Sequence, residues 1–116
     1  MNRTSEICFK CYKSKKFCKC VHNHFELIDS NLSYAIRNLN KKGYKTKFCC
    51  GGHPQKAFIY IYIYFDNEYN FNILPEDYKY KNKILYYKKK KQRTIKETQQ
   101  LISSHIKILN EWVKTL

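Results

Sequence analysis

The stretch from Ala57 to Phe65 constrains the fold of this chain more than any other. Isoleucine and tyrosine alternate through it, which is the period of a β-strand. One face carries Ile59, Ile61, Ile63 and Phe65, and the other carries Phe58, Tyr60, Tyr62 and Tyr64. Because both faces are apolar, the stretch is predicted to be a central strand. The tyrosine face is either a stacking platform or covered core, and core is favoured because an amphipathic C-terminal helix needs a sheet face to cover.

A turn-rich junction, Gly43–Pro54, joins this strand to a helix predicted over residues 29–42. Asp29 or Ser30 is the expected N-cap, and Gly43 takes the C′ position that favours a left-handed residue. The apolar face of the helix holds Ile28, Leu32, Ala35, Ile36 and Leu39. Residues 44–49 are predicted to form a strand antiparallel to 57–65, and Gly51–Gly52 to turn the chain. The strand over residues 44–49 is expected to place Tyr44, Thr46 and Phe48 on the same side of the sheet.

The C-terminal third predicts further strands and a long helix. A short strand is expected over Tyr69–Leu74 and another over Lys83–Lys88. Thr94 and Glu97 form a capping box before an amphipathic pattern that runs to the end of the chain. His105 falls on the apolar side of this helix, where we expect a buried, hydrogen-bonded histidine and not a metal ligand.

These elements predict one α+β domain over residues 1–116. A chain of 116 residues has room for a single core. The predicted fold is a small antiparallel sheet packed with two helices and preceded by an N-terminal zinc knuckle. The knuckle is assigned to 1–26, the helix and sheet to 27–91, and the C-terminal helix to 92–116. No apolar run reaches the ~18 residues of a membrane helix, and the first residues are polar, so we expect a cytoplasmic protein without a membrane partner.

Four cysteines crowd the N-terminal region in the pattern Cys-x-x-Cys, then Cys-x-Cys, followed by two histidines. Zn²⁺ binds four thiolate or imidazole ligands in a tetrahedron, and cysteines of a reducing compartment are free to chelate. The predicted zinc ligands are Cys8, Cys11, Cys18 and Cys20. His22 or His24 can replace one of them, and the alternatives to zinc are free, buried cysteines or a redox pair.

Cys49, Cys50 and His53 form a second group in the junction, and three interpretations stay open. The first is a plain tight turn. The second is a metal site formed by these thiols and the imidazole, and in a specific version of it Cys49 or Cys50 with His53 completes a site with the N-terminal ligands. The third is a nucleophilic Cys50 activated by His53.

Positive charge is concentrated in blocks. The formal net charge is +14, and residues 79–96 hold nine basic side chains and no acid. Lysines neutralise phosphates and neighbouring aromatic rings stack on bases, so nucleic acid is the expected partner, RNA before DNA, alone or in a nucleoprotein complex. The candidate contacts are Lys41, Lys42, Lys45, Lys47, Lys79, Lys81, Lys83, Lys88, Lys89, Lys90, Lys91 and Arg93. The alternative is an ordinary solvated surface.

Residues 8–65 resemble small uncharacterised proteins of Gram-positive bacteria and their phages. The shared signature is a helix followed by Gly-Tyr-x-Thr-x-x-(Cys or Ser)-Cys-x-Gly-His and a strand, often with an N-terminal cysteine knuckle. Here it is carried by Ile36, Leu39, Asn40, Lys42, Gly43, Tyr44, Thr46, Cys49, Cys50, Gly52 and His53, and then by Tyr60, Ile61 and Phe65. The resemblance implies no assigned activity. It suggests a mobile-element origin, where small basic proteins often act against host defence, including as anti-CRISPR proteins.

The function expected from the sequence is therefore that of a non-enzymatic, zinc-stabilised module that binds nucleic acid or a ribonucleoprotein, as a phage-derived inhibitor of host defence. One alternative is a metal-dependent or thiol enzyme centred on Cys50 and His53. The other is a protein-binding module that uses the tyrosine face or the terminal helix.

Overall fold

Two antiparallel sheets and two helices make up the fold in the computed structural model, which describes residues 3–21 and 24–116. The predicted α+β class is confirmed. The elements are β1 (Thr4–Cys8), β2 (Phe25–Asp29), a 3-10 turn (Ser30–Leu32), α1 (Ser33–Lys41), β3 (Thr46–Gly51), β4 (Phe58–Phe65), β5 (Lys79–Lys81), β6 (Ile84–Lys90) and α2 (Ile95–Lys114). No helix among the described residues combines the length and apolar character needed to cross a bilayer.

The larger sheet has the strand order β3-β4-β6-β5. As predicted, β4 is central and runs antiparallel to β3: Ile61 pairs with Gly51 on one side and with Tyr87 on the other. The edge strand β5 was not predicted, and the strand expected over Tyr69–Leu74 is wrong. That segment is irregular because its aromatic rings, not backbone ladders, hold it in place, with the rings of Tyr69 and Phe65 5.6 Å apart.

Both helices lie on the isoleucine face of this sheet. Ile59, Ile61, Ile63 and Phe65 are at most 1% exposed, in one core with α1 and α2 side chains such as Leu39 and Leu109. The prediction of a covered tyrosine face is wrong. Tyr60 is 38% exposed and Phe58 50%, because the two helices share the opposite side of the sheet. We call the uncovered side the open face.

The N-terminal residues form a hairpin that was not predicted. Strands β1 and β2 pair from Thr4 with Asp29 to Cys8 with Phe25, and the described residues between them, 9–21 and 24, belong to the connecting loop. Ile7 and Ile28 belong to the main core. The hairpin therefore gives the cysteine-rich loop a stem that is packed on the rest of the protein.

A bulge in β3 corrects a second prediction. Thr46 pairs with Phe65, whereas Phe48 pairs with Tyr64, and the register shifts between them. Because a bulge adds a residue to one strand, Thr46 and Phe48 lie on opposite faces of the sheet and not on the same one. Phe48 is thereby placed on the open face, where it is 66% exposed.

The junction glycines have different roles. Gly43 (φ +95°) and Gly52 (φ +88°) adopt the left-handed conformation, as expected for the first. Gly51 is needed for space, since a Cβ there would overlap the side chain of Asn31. Asp29, expected as an N-cap, makes no capping bond and instead accepts a hydrogen bond from the Gly51 N–H (2.6 Å).

The capping box of α2 is confirmed by the hydrogen bond from the Glu97 N–H to Thr94 Oγ1 (3.1 Å). His105 is buried and its two ring nitrogens lie 3.0 Å from Asp77 Oδ2 and from the Leu101 carbonyl. Its ring stacks on Tyr87 at 3.8 Å. The interpretation of His105 as a satisfied core histidine is therefore confirmed.

The overlap at Gly51 predicts a coupled pair of substitutions. In Gly51→Ala the methyl group forces the Asn31 side chain away from its 2.9 Å hydrogen bond with the Gly51 carbonyl, and we expect a loss of about 1–3 kcal/mol in the free energy of unfolding. In a protein that already carries Asn31→Ala, the same change should cost much less. Urea denaturation of the four proteins measures this coupling.

Gly43→Ala is the matched control, because nothing lies within 4 Å of a Cβ at that position. Its cost of about 1–2 kcal/mol comes from backbone strain alone, so Asn31→Ala should not relieve it. Additive effects for the Gly51 pair would contradict the packing that we describe.

Candidate functional site

Four cysteine sulfurs converge beside the β1–β2 hairpin. The Sγ atoms of Cys8, Cys11, Cys18 and Cys20 all lie within 4.8 Å of one another. Cys8 is the last residue of β1, and the Tyr12 N–H donates to its carbonyl (2.8 Å), which closes the Cys-x-x-Cys turn. A second turn, in which the Cys18 N–H donates to the Ser14 carbonyl (3.0 Å), returns the other two cysteines to the first pair.

Backbone donors surround these sulfurs. The N–H groups of Lys10 and Cys11 point at Cys8 Sγ at 3.3 and 3.5 Å, and the Cys20 N–H points at Cys18 Sγ at 3.4 Å. Hydrogen bonds to a sulfur favour its thiolate form. The donors to Cys8 Sγ therefore favour the thiolate of Cys8, which is the form that binds metal ions.

The thiols of Cys8 and Cys20 differ in their pKa. Burial opposes ionisation of Cys8, but the N–H donors of Cys11 and Lys10 prevail and lower its pKa to about 6. Burial and the side chain of Cys18 raise the pKa of Cys20 to about 12. Cys8 also contributes to the raised pKa of Cys20, and a bound cation would favour both thiolates.

The spacing of the sulfurs fits a metal ion. Tetrahedral bonds of 2.3 Å to zinc separate the ligand atoms by about 3.8 Å. The sulfurs of Cys8 and Cys20 are 3.8 Å apart. All four predicted ligands are therefore together and can hold a metal ion. Of the alternative ligands, His22 lies outside the described residues. His24 is not a member of the four-cysteine group. Its backbone carbonyl accepts a hydrogen bond from the Phe9 N–H (2.8 Å).

A second group of metal-ligating side chains occupies the junction. Ligand atoms of Asp29, Cys50 and His53 lie within 4.8 Å of one another. In the described residues, Cys50 and His53 thus group with Asp29 and not with the N-terminal cysteines. The sequence does not indicate Asp29 as a member of this group, because its position before a helix predicts an N-cap.

Cys49 belongs to neither group. It pairs with Ile63 of the helix-covered face, while Cys50 pairs with Tyr62 of the open face. Burial first, and then the Asp29 carboxylate, raise the pKa of Cys49 to about 12. The two adjacent cysteines therefore differ in surroundings, and Cys49 is a packed residue.

The open face combines aromatic rings with lysines. Cross-strand pairs join Tyr60 to Lys88, Phe58 to Lys90 and Tyr86 to Lys79. Lys88 Nζ lies 5.0 Å from the centre of the Phe58 ring, and Lys47 Nζ lies 5.9 Å from that of Tyr64. The sequence identified these residue types, but their common face follows from the strand register.

Two of the candidate lysines are engaged within the protein. Lys42 Nζ donates to the carbonyls of Val113 and Leu116 (both 2.8 Å) at the end of α2. Lys45 Nζ donates to the Tyr12 hydroxyl (2.6 Å). These two lysines hold elements together. The open-face lysines, Lys47, Lys79, Lys81, Lys88 and Lys90, are exposed.

Comparison of this chain with protein-family models, with curated proteins and with solved structures gives no match. The two metal-ligating groups and the open face are therefore interpreted from their own chemistry.

Proposed function

We propose that this protein is a zinc-stabilised module that binds single-stranded nucleic acid on the open face of its four-stranded sheet. One observation carries the proposal: the open face interleaves exposed aromatic rings with lysines, and no acidic residue interrupts it within the strands. The binding is non-enzymatic and takes place in a reducing cytoplasm.

Charge complementarity supports this choice of partner. The open face carries one lysine from β3, two from β5 and two from β6, and all four strands of the sheet lack Asp and Glu. A strand of phosphates laid across them would release counterions, which supplies affinity without sequence preference. An uncharged protein partner would gain no electrostatic attraction from these lysines.

The aromatic rings favour a single strand over a duplex. Phe48, Phe58 and Tyr60 are 66%, 50% and 38% exposed. Bases of a single strand can stack on such rings, which contributes about 1–3 kcal/mol per base, whereas bases in a duplex already stack on one another. RNA is the expected form, and contacts to its 2′-hydroxyl groups would distinguish it from DNA.

Zinc is the metal that the four-cysteine group fits best. Four thiolate ligands in a tetrahedron suit Zn²⁺ and leave no open position, which is the arrangement of structural sites. When bound, zinc supplies a cross-link between the two cysteine turns. It does not contact the open face in this proposal.

The resemblance of residues 8–65 to small phage proteins extends the proposal to a biological setting. A nucleic acid-binding protein of this size can act on a ribonucleoprotein of host defence, such as a CRISPR complex. Affinity purification from a bacterial host, with the open-face variant Tyr60→Ala as the control, tests this extension. Recovery of the same ribonucleoprotein with both proteins would contradict a role for this face.

Zinc binding gives a direct prediction. After exposure to a weak competing chelator, wild-type protein should retain one equivalent of zinc more than Cys11→Ser, measured by atomic emission. Because the metal joins the two cysteine turns, its loss should lower the midpoint of thermal unfolding. Equal retention of zinc by the two proteins would exclude the four-cysteine site.

Binding of nucleic acid predicts a difference between two tyrosines that are equally exposed. Tyr60 on the open face and Tyr34 on α1 are both 38% exposed. Tyr60→Ala should weaken binding of a fluorescent single-stranded RNA about 5- to 150-fold through loss of stacking. Tyr34→Ala should leave the dissociation constant unchanged, as measured by fluorescence anisotropy.

A pair of lysine substitutions separates a phosphate contact on the open face from attraction by the net charge of the protein. Lys88→Ala should reduce the dependence of log K on log salt concentration by about 0.7, the value for one phosphate contact with a single strand. Lys107→Ala removes the same charge from an exposed position of α2 and should not change this slope. Equal effects of the two substitutions would indicate attraction by net charge alone and would contradict a site on the open face.

A further inference from the structure

A second cluster of metal-ligating side chains stands apart from the four cysteines. Asp29 ends β2, Cys50 lies in β3, and His53 lies in the loop before β4. Their ligand atoms are within 4.8 Å of one another. We propose that these three side chains form a second metal site, which binds a divalent ion of the zinc class and leaves one coordination position open.

The donor set selects the class of metal. One thiolate, one imidazole and one carboxylate are the three donor types that Zn²⁺ accepts, while the thiolate and imidazole disfavour Mg²⁺ and Ca²⁺. The two anionic ligands would neutralise the charge of the ion. Three protein ligands also leave a position for water, unlike the closed four-cysteine site.

The carboxylate of this group is already oriented. Asp29 Oδ2 accepts a hydrogen bond of 2.6 Å from the Gly51 N–H, so one oxygen is fixed and the second can bind a metal. Asn31 binds the same residue of β3, since its Nδ2 donates a hydrogen bond to the Gly51 carbonyl at 2.9 Å. Outer hydrogen bonds of this kind fix the orientation of metal-binding carboxylates.

The backbone after Cys50 brings His53 back to the other two ligands. Gly52 has φ +88°, a conformation that L side chains rarely adopt, and the Lys56 N–H closes the next turn on the His53 carbonyl (3.2 Å). A Cβ at Gly52 would also come within 3.3 Å of Ile61 and Ile102 in the core. The turn is therefore shaped by packing as well as by the glycine.

A metal-free interpretation competes with this one. The Cys50 thiol and a ring N–H of His53 can each donate a hydrogen bond to the Asp29 carboxylate. Hydrogen bonds and a single ion therefore predict the same grouping of side chains, and metal stoichiometry separates the two interpretations.

The site borders a groove on the open face. Cys50 and His53, two of its three ligands, line a cavity of about 420 Å³ together with Phe58, Tyr60 and Lys88. The groove has room for water or an anionic oxygen beside these two ligands. The site itself does not depend on the proposed binding of nucleic acid.

Cobalt titration of the whole chain tests the site. With Co²⁺ as the only added metal, under reducing conditions and without nucleic acid, wild-type protein should bind two equivalents. Cys50→Ser and His53→Ala should each bind one, and Asp29→Asn should weaken the second equivalent at least 10-fold. The first equivalent should show strong thiolate-to-cobalt charge-transfer absorption from four sulfurs, and the second a weaker band from one.

Cys49→Ser is the matched control, because it removes a thiol next to Cys50 that faces the other side of the sheet. It should bind two equivalents, as wild type does. Binding of one equivalent by wild type, or of two by Cys50→Ser, would overturn the proposal. His53→Ala changes only a loop side chain, so without metal its circular dichroism and thermal midpoint should match those of wild type. Loss of one equivalent of Co²⁺ by this variant then reports on the missing ligand and not on folding.

Discussion

The fold depends on which side of β4 is dehydrated. Its isoleucines carry no polar atom, so covering them with helices removes apolar surface from water and leaves no hydrogen bond unmade. The tyrosines on the other side carry hydroxyl groups that would each need a partner if buried. Both helices are therefore on the isoleucine side, where Ile59 and Ile61 are completely buried. The exposed aromatic surface is the consequence of this choice.

The two helices form one layer because their ends are joined. Lys42, just after α1, places its ammonium group among the last carbonyls of α2, where the helix dipole favours a cation. The cysteine loop is attached to the same layer through Tyr12, whose carbonyl accepts from Arg37 Nε (2.9 Å) and whose hydroxyl accepts from Lys45. A metal ion bound by this loop would therefore stabilise a segment that already contacts α1 and the residue before β3.

Local signals were sufficient to predict part of this structure. Alternation in the sequence identified β4, the capping box identified α2, and Gly43 marked the end of α1, because each depends on neighbouring residues. Strands β1 and β2 were missed because their pairing joins Thr4 to Asp29 across the chain, and Thr4–Cys8 has no clear alternation. The four-cysteine group was predictable from spacing alone, since its ligands lie in two short turns.

Non-local contacts set the remaining features. The bulge at Lys47 moved Phe48 to the open face, and a residue count along the strand cannot detect it. Asp29 was missed as a member of the second metal-ligating group because its hydrogen-bond partner, Gly51, is 22 residues away. The covered face was predicted wrongly because the need of a helix for a sheet face does not identify that face, whereas the hydroxyl groups of the tyrosines favour leaving their side exposed.

The junction before β4 is where the two proposals meet. Cys50 and His53 of the proposed second metal site line one groove with the aromatic rings Phe58 and Tyr60. A phosphate oxygen bound to the metal would hold the nucleic acid more tightly with the metal present, and by linkage the nucleic acid would raise the affinity for the metal by the same factor. The glycines that turn the chain here thus place the proposed metal site beside the proposed nucleic acid-binding face.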